Sequence, residues 1–243
     1  MIKLEKLTKR FGKTVAVNDL NLEISPGEIF GFIGPNGAGK TTTIRMMAGI
    51  LQPSSGTVTI CGIPMHLQPE QAKMRIGFIP DRPYLYEKLT GMEFLRFTAD
   101  LFHVDSEEFL TRAEYVLGMF SLLDWSEELI ESYSHGMKQR LIMAAALLHD
   151  PQVIIVDEPM VGLDPAGIKM VKELFKNLAE KKVTIFLSTH TLALAEDLCH
   201  RLGIIDKGNL LAVGTATELK QRAQLLKADL EEAFIKLTSG AVS

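Results

Sequence analysis

Residues Gly34-Pro35-Asn36-Gly37-Ala38-Gly39-Lys40-Thr41 follow the pattern G-x-x-x-x-G-K-[ST]. The pattern constrains the fold because it works in one setting only, after a buried strand and at the start of a helix. Both flanks comply: Glu28-Ile29-Phe30-Gly31-Phe32-Ile33 is an apolar run of strand length, and Thr42-Thr43-Ile44-Arg45-Met46-Met47-Ala48 reads as a helix. The glycines let the backbone curl until successive N–H groups converge on phosphate oxygens. The helix adds the positive end of its dipole. Lys40 is expected to reach the β- and γ-phosphates of a nucleoside triphosphate, with the Thr41 hydroxyl helping to hold Mg²⁺. A glycine turn that merely precedes a lysine is the competing explanation, and the flanking elements disfavour it.

The 243 residues bound the rest: one large domain or two small ones. A chain of this size buries about 70–75% of its unfolded surface and needs no staples. A hydrophobic share of 47% with 23% charged residues is ordinary for a globular protein. The net charge of −4, with Lys and Arg scattered, gives no reason to expect a nucleic-acid partner. Cys61 and Cys199 are far apart and outside any C-x-x-C pair, so both are expected to be buried, reduced thiols in a cytosolic chain. The start, Met1 to Lys6, lacks the apolar stretch of a signal peptide. No run approaches the roughly 18 apolar residues that span a bilayer. Any link to a membrane is therefore expected through a partner.

Three pattern changes organise the chain. Up to Pro80, short apolar runs at Ile2–Leu7, Leu20–Ile24, Gly56–Gly62 and Ile76–Pro80 predict a β-rich layer wrapped around the glycine loop. From about Tyr84 to Asp150 the period becomes helical, with helices over Met92–Phe102, Glu107–Met119 and Lys138–Leu148. In the first of these, Phe94, Phe97, Leu101 and Phe102 are expected on one core-facing side. After Pro151, Val153-Ile154-Ile155-Val156 is fully apolar and β-branched, as a central parallel strand should be. An amphipathic helix over Gly167–Glu180, a buried strand over Val183–Leu187 and a hairpin turning at Lys207-Gly208-Asn209 follow. Residues beyond about Thr217 read as helices and a short tail. His66, His103, His149 and His200 read as surface residues.

Asp157 and Glu158 end the Val153–Val156 run, at the carboxyl edge where open α/β sheets bind ligands. Asp157 is suited to Mg²⁺ and Glu158 to a general base acting on water. Taken together, these segments resemble the ATP-binding-cassette (ABC) family, with the glycine loop as its Walker A motif and the acid-ended strand as its Walker B motif. Tyr133-Ser134-His135-Gly136-Met137-Lys138-Gln139-Arg140 is similar to the family signature L-S-G-G-Q. Ser134 is a good N-cap and Gly136 permits close backbone approach, so this helix start is an anion site. In the family it closes on the γ-phosphate held by another protomer. The resemblance also assigns Asp164, in Gly162-Leu163-Asp164, to the loop that meets its counterpart across the dimer. It makes His190 the switch histidine that contacts the γ-phosphate, and Phe11 the aromatic that stacks on adenine. Phe11 taken alone reads equally well as a core residue.

Three departures stand out. Asp81, in Ile79-Pro80-Asp81, occupies the place of a glutamine that touches Mg²⁺ and the attacking water; it still offers an oxygen to Mg²⁺. His135 and Met137 replace a glycine and a glutamine of the signature, in a form that looks like a branch of bacterial ABC exporters. The resemblance implies an α/β cassette of one domain over residues 1–243, with a mixed-sheet core, an N-terminal antiparallel layer and an inserted helical region. Its expected activity is Mg²⁺-dependent ATP hydrolysis in a cytoplasmic subunit, peripheral to the inner membrane face. Its expected partners are an integral-membrane permease and a second ATP-binding chain, most simply a second copy. The rival is a soluble ABC ATPase of the assembly type, uncoupled from transport.

Overall fold

The computed structural model describes residues 1–82, 84–224 and 229–239. Two sheets carry the strands. The first, in spatial order β2-β1-β4-β5, is antiparallel and comprises β1 (Ile2–Phe11), β2 (Thr14–Ile24), β4 (Ser55–Ile60) and β5 (Ile63–Pro64). The second, in order β10-β9-β3-β8-β7-β6, comprises β3 (Ile29–Ile33), β6 (Ile76–Ile79), β7 (Val153–Asp157), β8 (Thr184–Thr189), β9 (Arg201–Asp206) and β10 (Asn209–Gly214). Its strands run parallel except for β10, which returns antiparallel on β9. The expected N-terminal layer is thus present, but Ile76–Ile79 does not belong to it. That strand pairs in parallel with β7, because Ile76, Gly77 and Ile79 are buried as a covered parallel strand requires.

Every residue of β3, β7 and β8 is buried. Each fully buried Ile, Val, Leu or Phe side chain there contributes about 1.5–3 kcal/mol, which makes this sheet the rigid base of the molecule. Phe30, Phe32 and Phe186 stack between it and the antiparallel layer, with α1 (Lys40–Met47) filling the same core. The short α2 (Pro69–Lys73) precedes β6. The opposite core joins the sheet to α3 (Gly91–Leu101), α4 (Ser106–Met119), α5 (His135–Leu147) and α6 (Pro165–Glu180). Helix α7 (Leu192–Leu198), α8 (Ala216–Arg222) and α9 (Leu230–Thr238) pack beside β9 and β10. Positions 225–228 and 240–243 of the expected tail lie outside the described residues.

Helix starts follow local chemistry. Thr90 and Glu93 form a reciprocal capping box on α3, and Thr215 and Glu218 form another on α8. Asp164 caps α6 just before Pro165, the residue best suited to a first helical position. Lys207 and Gly208 both have positive φ, 46° and 80°, so the β9–β10 hairpin turns on these two residues and Asn209 already belongs to the strand.

Two expectations change, and a third residue keeps its surface position while gaining a structural contact. In α3 the buried residues are Gly91, Phe94, Leu95 and Ala99, while Phe97 and Leu101 are exposed. At 100° per residue the buried stripe centres near the direction of Phe102, with Leu101 on its flank and Phe97 beyond it; Phe97 instead meets Tyr86 edge-to-face at 5.4 Å. His149 is not a surface residue. Its ring stacks on Phe102 at 3.8 Å, its Nε2 lies 3.1 Å from the Ile76 carbonyl, and burial depresses its pKa to about 4. His200 is exposed, yet its Nδ1 accepts the Ile29 backbone N–H at 3.0 Å and so joins the α7–β9 junction to β3.

Candidate nucleotide site

The loop between β3 and α1 is shaped by what surrounds it. A Cβ on Gly34 would stand 2.3 Å from the Ile205 carbonyl oxygen, so only glycine fits. Gly39 has φ 109° and caps α1 in the left-handed region, and a Cβ there would meet the Ala16 carbonyl at 2.5 Å. Gly37, with φ 78°, turns in open space. Lys40 is buried, and its ammonium donates to the carbonyls of Gly34 at 2.6 Å and Pro35 at 3.1 Å. Burial lowers its pKa, while the charges of Glu158 and Asp157 act in the opposite sense.

The acid-ended strand delivers its carboxylates beside this loop. Asp157 is buried; its Oδ2 accepts from the Thr41 hydroxyl at 3.0 Å and its Oδ1 accepts from the Ser188 hydroxyl. The register of the parallel strands pairs Asp157 with Ser188, which fixes that contact. Glu158 adopts φ 51°, uncommon for a non-glycine residue, and its backbone N–H donates to the Ser188 carbonyl at 3.1 Å. Its two carboxylate oxygens are held separately: Oε1 accepts from His190 Nδ1 at 2.8 Å and Oε2 from the Thr189 hydroxyl at 3.3 Å.

One cavity of ≈ 350 Å³ gathers these groups: Asn36, Gly37, Gly39, Lys40, Thr41, Thr42, Asp81, Asp157, Glu158 and His190, with Ala16 on one wall. Asp81 also borders a second hollow of ≈ 280 Å³ with Phe78, Pro80 and Tyr84. Ala16, Ser188 and Thr189 carried no role in the sequence reading. Ser188-Thr189 directly before His190 was the available signal, since a strand ending beside an acid-ended parallel strand must present its hydroxyls there. A larger hollow of ≈ 930 Å³, lined by residues including Arg112, Tyr115, Asp150 and Lys181, lies away from this chemistry and has no phosphate loop.

Seven of the predicted residues do not line the cavity: Gly34, Pro35 and Ala38 belong to the loop beneath it, and Phe11, Ser134, Gly136 and Asp164 stand apart from it. Phe11 ends β1, half exposed, with the Lys9 ammonium 5.2 Å from its ring. Ser134 caps α5, its hydroxyl accepting the Met137 N–H at 3.3 Å, and Gly136 lies in the first turn. Asp164 is engaged in capping α6 through the Gly167 N–H at 2.9 Å. For Mg²⁺ the available donors are hard oxygens, the Thr41 hydroxyl and Asp157 carboxylate 3.0 Å apart with Asp81 on the same cavity, and that set fits the ion.

The ABC transporter family model matches residues 17–161, more than half of the chain. The chain belongs to the ABC transporter family. This ABC cassette is 38% identical over 219 residues to a Nod factor export ATP-binding protein of Cupriavidus metallidurans, covering 90% of this chain and 72% of that protein. It superimposes on a solved ATP-binding subunit of an ABC transporter with a TM-score of 0.92 at 32% identity, covering 98% of this chain and 99% of the other. A dimeric bacterial ABC transporter cassette matches with a TM-score of 0.81 at 27% identity, over 88% of this chain and 98% of that one. Membership brings ATP binding and ATP hydrolysis in a transporter, and a cassette that pairs. Among the described residues no helix is long and apolar enough to cross a membrane.

Proposed function

We propose that two copies of this chain, each a single nucleotide-binding domain with its helices of 84–150 inserted, close head-to-tail on two ATP molecules and drive a separate membrane permease. The observation that carries this reading is a division of labour. Lys40, Asp157, Glu158 and His190 converge on one cavity, whereas the anion site at Ser134 and Gly136 lies outside it. An anion site without a phosphate of its own chain calls for that of a partner, and the reciprocal arrangement is two-fold symmetric. Phe11 would stack on adenine, Asp164 would meet its counterpart across the dimer, and the glycine-loop N–H groups with Lys40 would hold the phosphates.

In the reaction, Glu158 accepts a proton from water as the water oxygen attacks the γ-phosphorus and the bond to the bridging oxygen of ADP breaks. His190 and Thr189 each engage one Glu158 oxygen and so orient the carboxylate. Thr41, Asp157 and Asp81 would hold Mg²⁺, which neutralises charge on the phosphate oxygens when bound. Asp81→Ala is expected to lower Mg²⁺-dependent turnover about tenfold while sparing nucleotide affinity. Unchanged turnover would remove Asp81 from the site.

The permease is placed in the groove between the Asp81 loop and the helical region, a placement supported by the exposed side chains of Tyr84, Tyr86, Phe97 and Leu101. Such a subunit works in the cytoplasm on the inner membrane face, and the signature form and the export relative favour an exporter. The test is capture of partners by tagged Glu158→Gln chain with ATP from detergent-solubilised native membranes. A co-purifying multi-spanning protein is the expected result; a soluble partner alone would favour the assembly-type ATPase.

A further inference from the structure

The head of α5 lies directly against the loop from Glu158 to Asp164 at Gly162. A Cβ on Gly162 would fall 2.2 Å from His135 Cδ2 and 2.5 Å from its Nε2, so the imidazole rests directly on Gly162. A Cβ on Gly136 would stand 3.4 Å from the Gly162 carbonyl oxygen. Gly162 holds φ +81°, the left-handed conformation that keeps the loop against the helix.

Gln139 lies one turn further along α5. It follows His135 by four residues and Gly136 by three, so it shares the stripe that meets Gly162. Helical side chains lean toward the N-terminus, which here is toward the loop. Gln139 is fully buried, yet neither its Oε1 nor its Nε2 has a hydrogen-bond partner among the described residues. An orphaned buried amide destabilises a fold, and an apolar side chain of similar length would serve packing better. Packing therefore does not account for a glutamine. The loop 158–164, which meets the same helix one turn earlier, has backbone groups to offer, since its internal bonds are Val161 N–H to the Glu158 carbonyl and Leu163 N–H to the Met160 carbonyl.

We propose that Gln139 is a positioning residue for Glu158: on closure of two chains around ATP, the loop settles onto α5 and the Gln139 amide takes up its backbone groups, with His135 as the contact that guides Gly162. The phosphate-facing start of α5 and the loop that carries Glu158 then become one rigid piece, so that engagement of the partner's nucleotide orders the base of the same chain. This rests on the head-to-tail reading above.

The test is Gln139→Met in the full chain, with thermal unfolding and steady-state ATP turnover measured side by side. A positioning role and a structural role differ in sign. The variant should melt about 3–6 °C higher, because the orphan is gone, while kcat falls about tenfold and KM for ATP stays within about twofold of the original chain. A higher melting temperature with unchanged kcat overturns the proposal, and so does a lower melting temperature, which would mean that the amide is already paired in the resting chain. Absence of ATP turnover in the unsubstituted chain is a different result: it removes the functional reading and this inference with it.

Discussion

Glu158→Gln is expected to lower ATP turnover by about 10²–10⁴-fold, the range that loss of a positioned general base produces. Glutamine keeps the size of the side chain; its Oε1 can still accept from His190, while its Nε2 can donate to the Thr189 hydroxyl, so the side chain keeps its place with one bond reversed. It cannot take the proton of water. Removing one negative charge from a cavity that also holds Asp157 and Asp81 favours the arriving triphosphate. Nucleotide affinity should therefore hold or rise while hydrolysis stops, and the ATP-bound pair of chains should accumulate. Gel filtration with ATP checks the second half of this expectation and single-turnover hydrolysis the first. A variant that hydrolyses within threefold of the original would mean that another group is the base.

Lys40→Ala is expected to reduce ATP affinity by at least about 100-fold, in line with about 2–5 kcal/mol for truncating one member of a buried charge set. Lys40 is buried between the carbonyls of Gly34 and Pro35 on one side and the charges of Asp157 and Glu158 on the other. Without it, two carboxylates face the phosphates uncompensated. The Gly34 and Pro35 carbonyls would also lose their donor, so the loop itself should loosen. Equilibrium dialysis with labelled ATP measures the effect, with thermal unfolding alongside to show that the chain still folds. Retained affinity would place the phosphates elsewhere.

Much of this site is legible in the residues because it is local. The glycine loop, its strand and its helix are contiguous, and Asp157-Glu158 is announced by the apolar run before it. The Ser134 and Asp164 caps follow from side-chain chemistry within three residues. What escaped reading depends on contacts between distant segments. Ala16 reaches the cavity only because β2 passes over Gly39. Ser188 finds Asp157 through the register of two parallel strands. The membership of Ile76–Ile79 in the parallel sheet is a tertiary fact, since four apolar residues fit either sheet. The inward side of α3 differs from the expected one at Phe97 and Leu101 because two apolar stripes compete on that helix, and the sequence does not say which one meets the sheet. His149 reads as a surface residue because its stacking partner Phe102 and its carbonyl partner on Ile76 are far away along the chain.

The central claim is that each working site is built from two chains, the glycine loop of one and the Ser134–Gly136 segment of the other. Complementation between two inactive variants tests it most directly. Lys40→Ala removes the phosphate-binding side of a site and Ser134→Arg blocks the opposing side, so each variant alone should be inactive. In a one-to-one mixture about half of the pairs combine the two variants, and each such pair holds one intact site. ATP turnover of about one quarter of the original is the predicted result; turnover no higher than the sum of the separate variants would contradict the account.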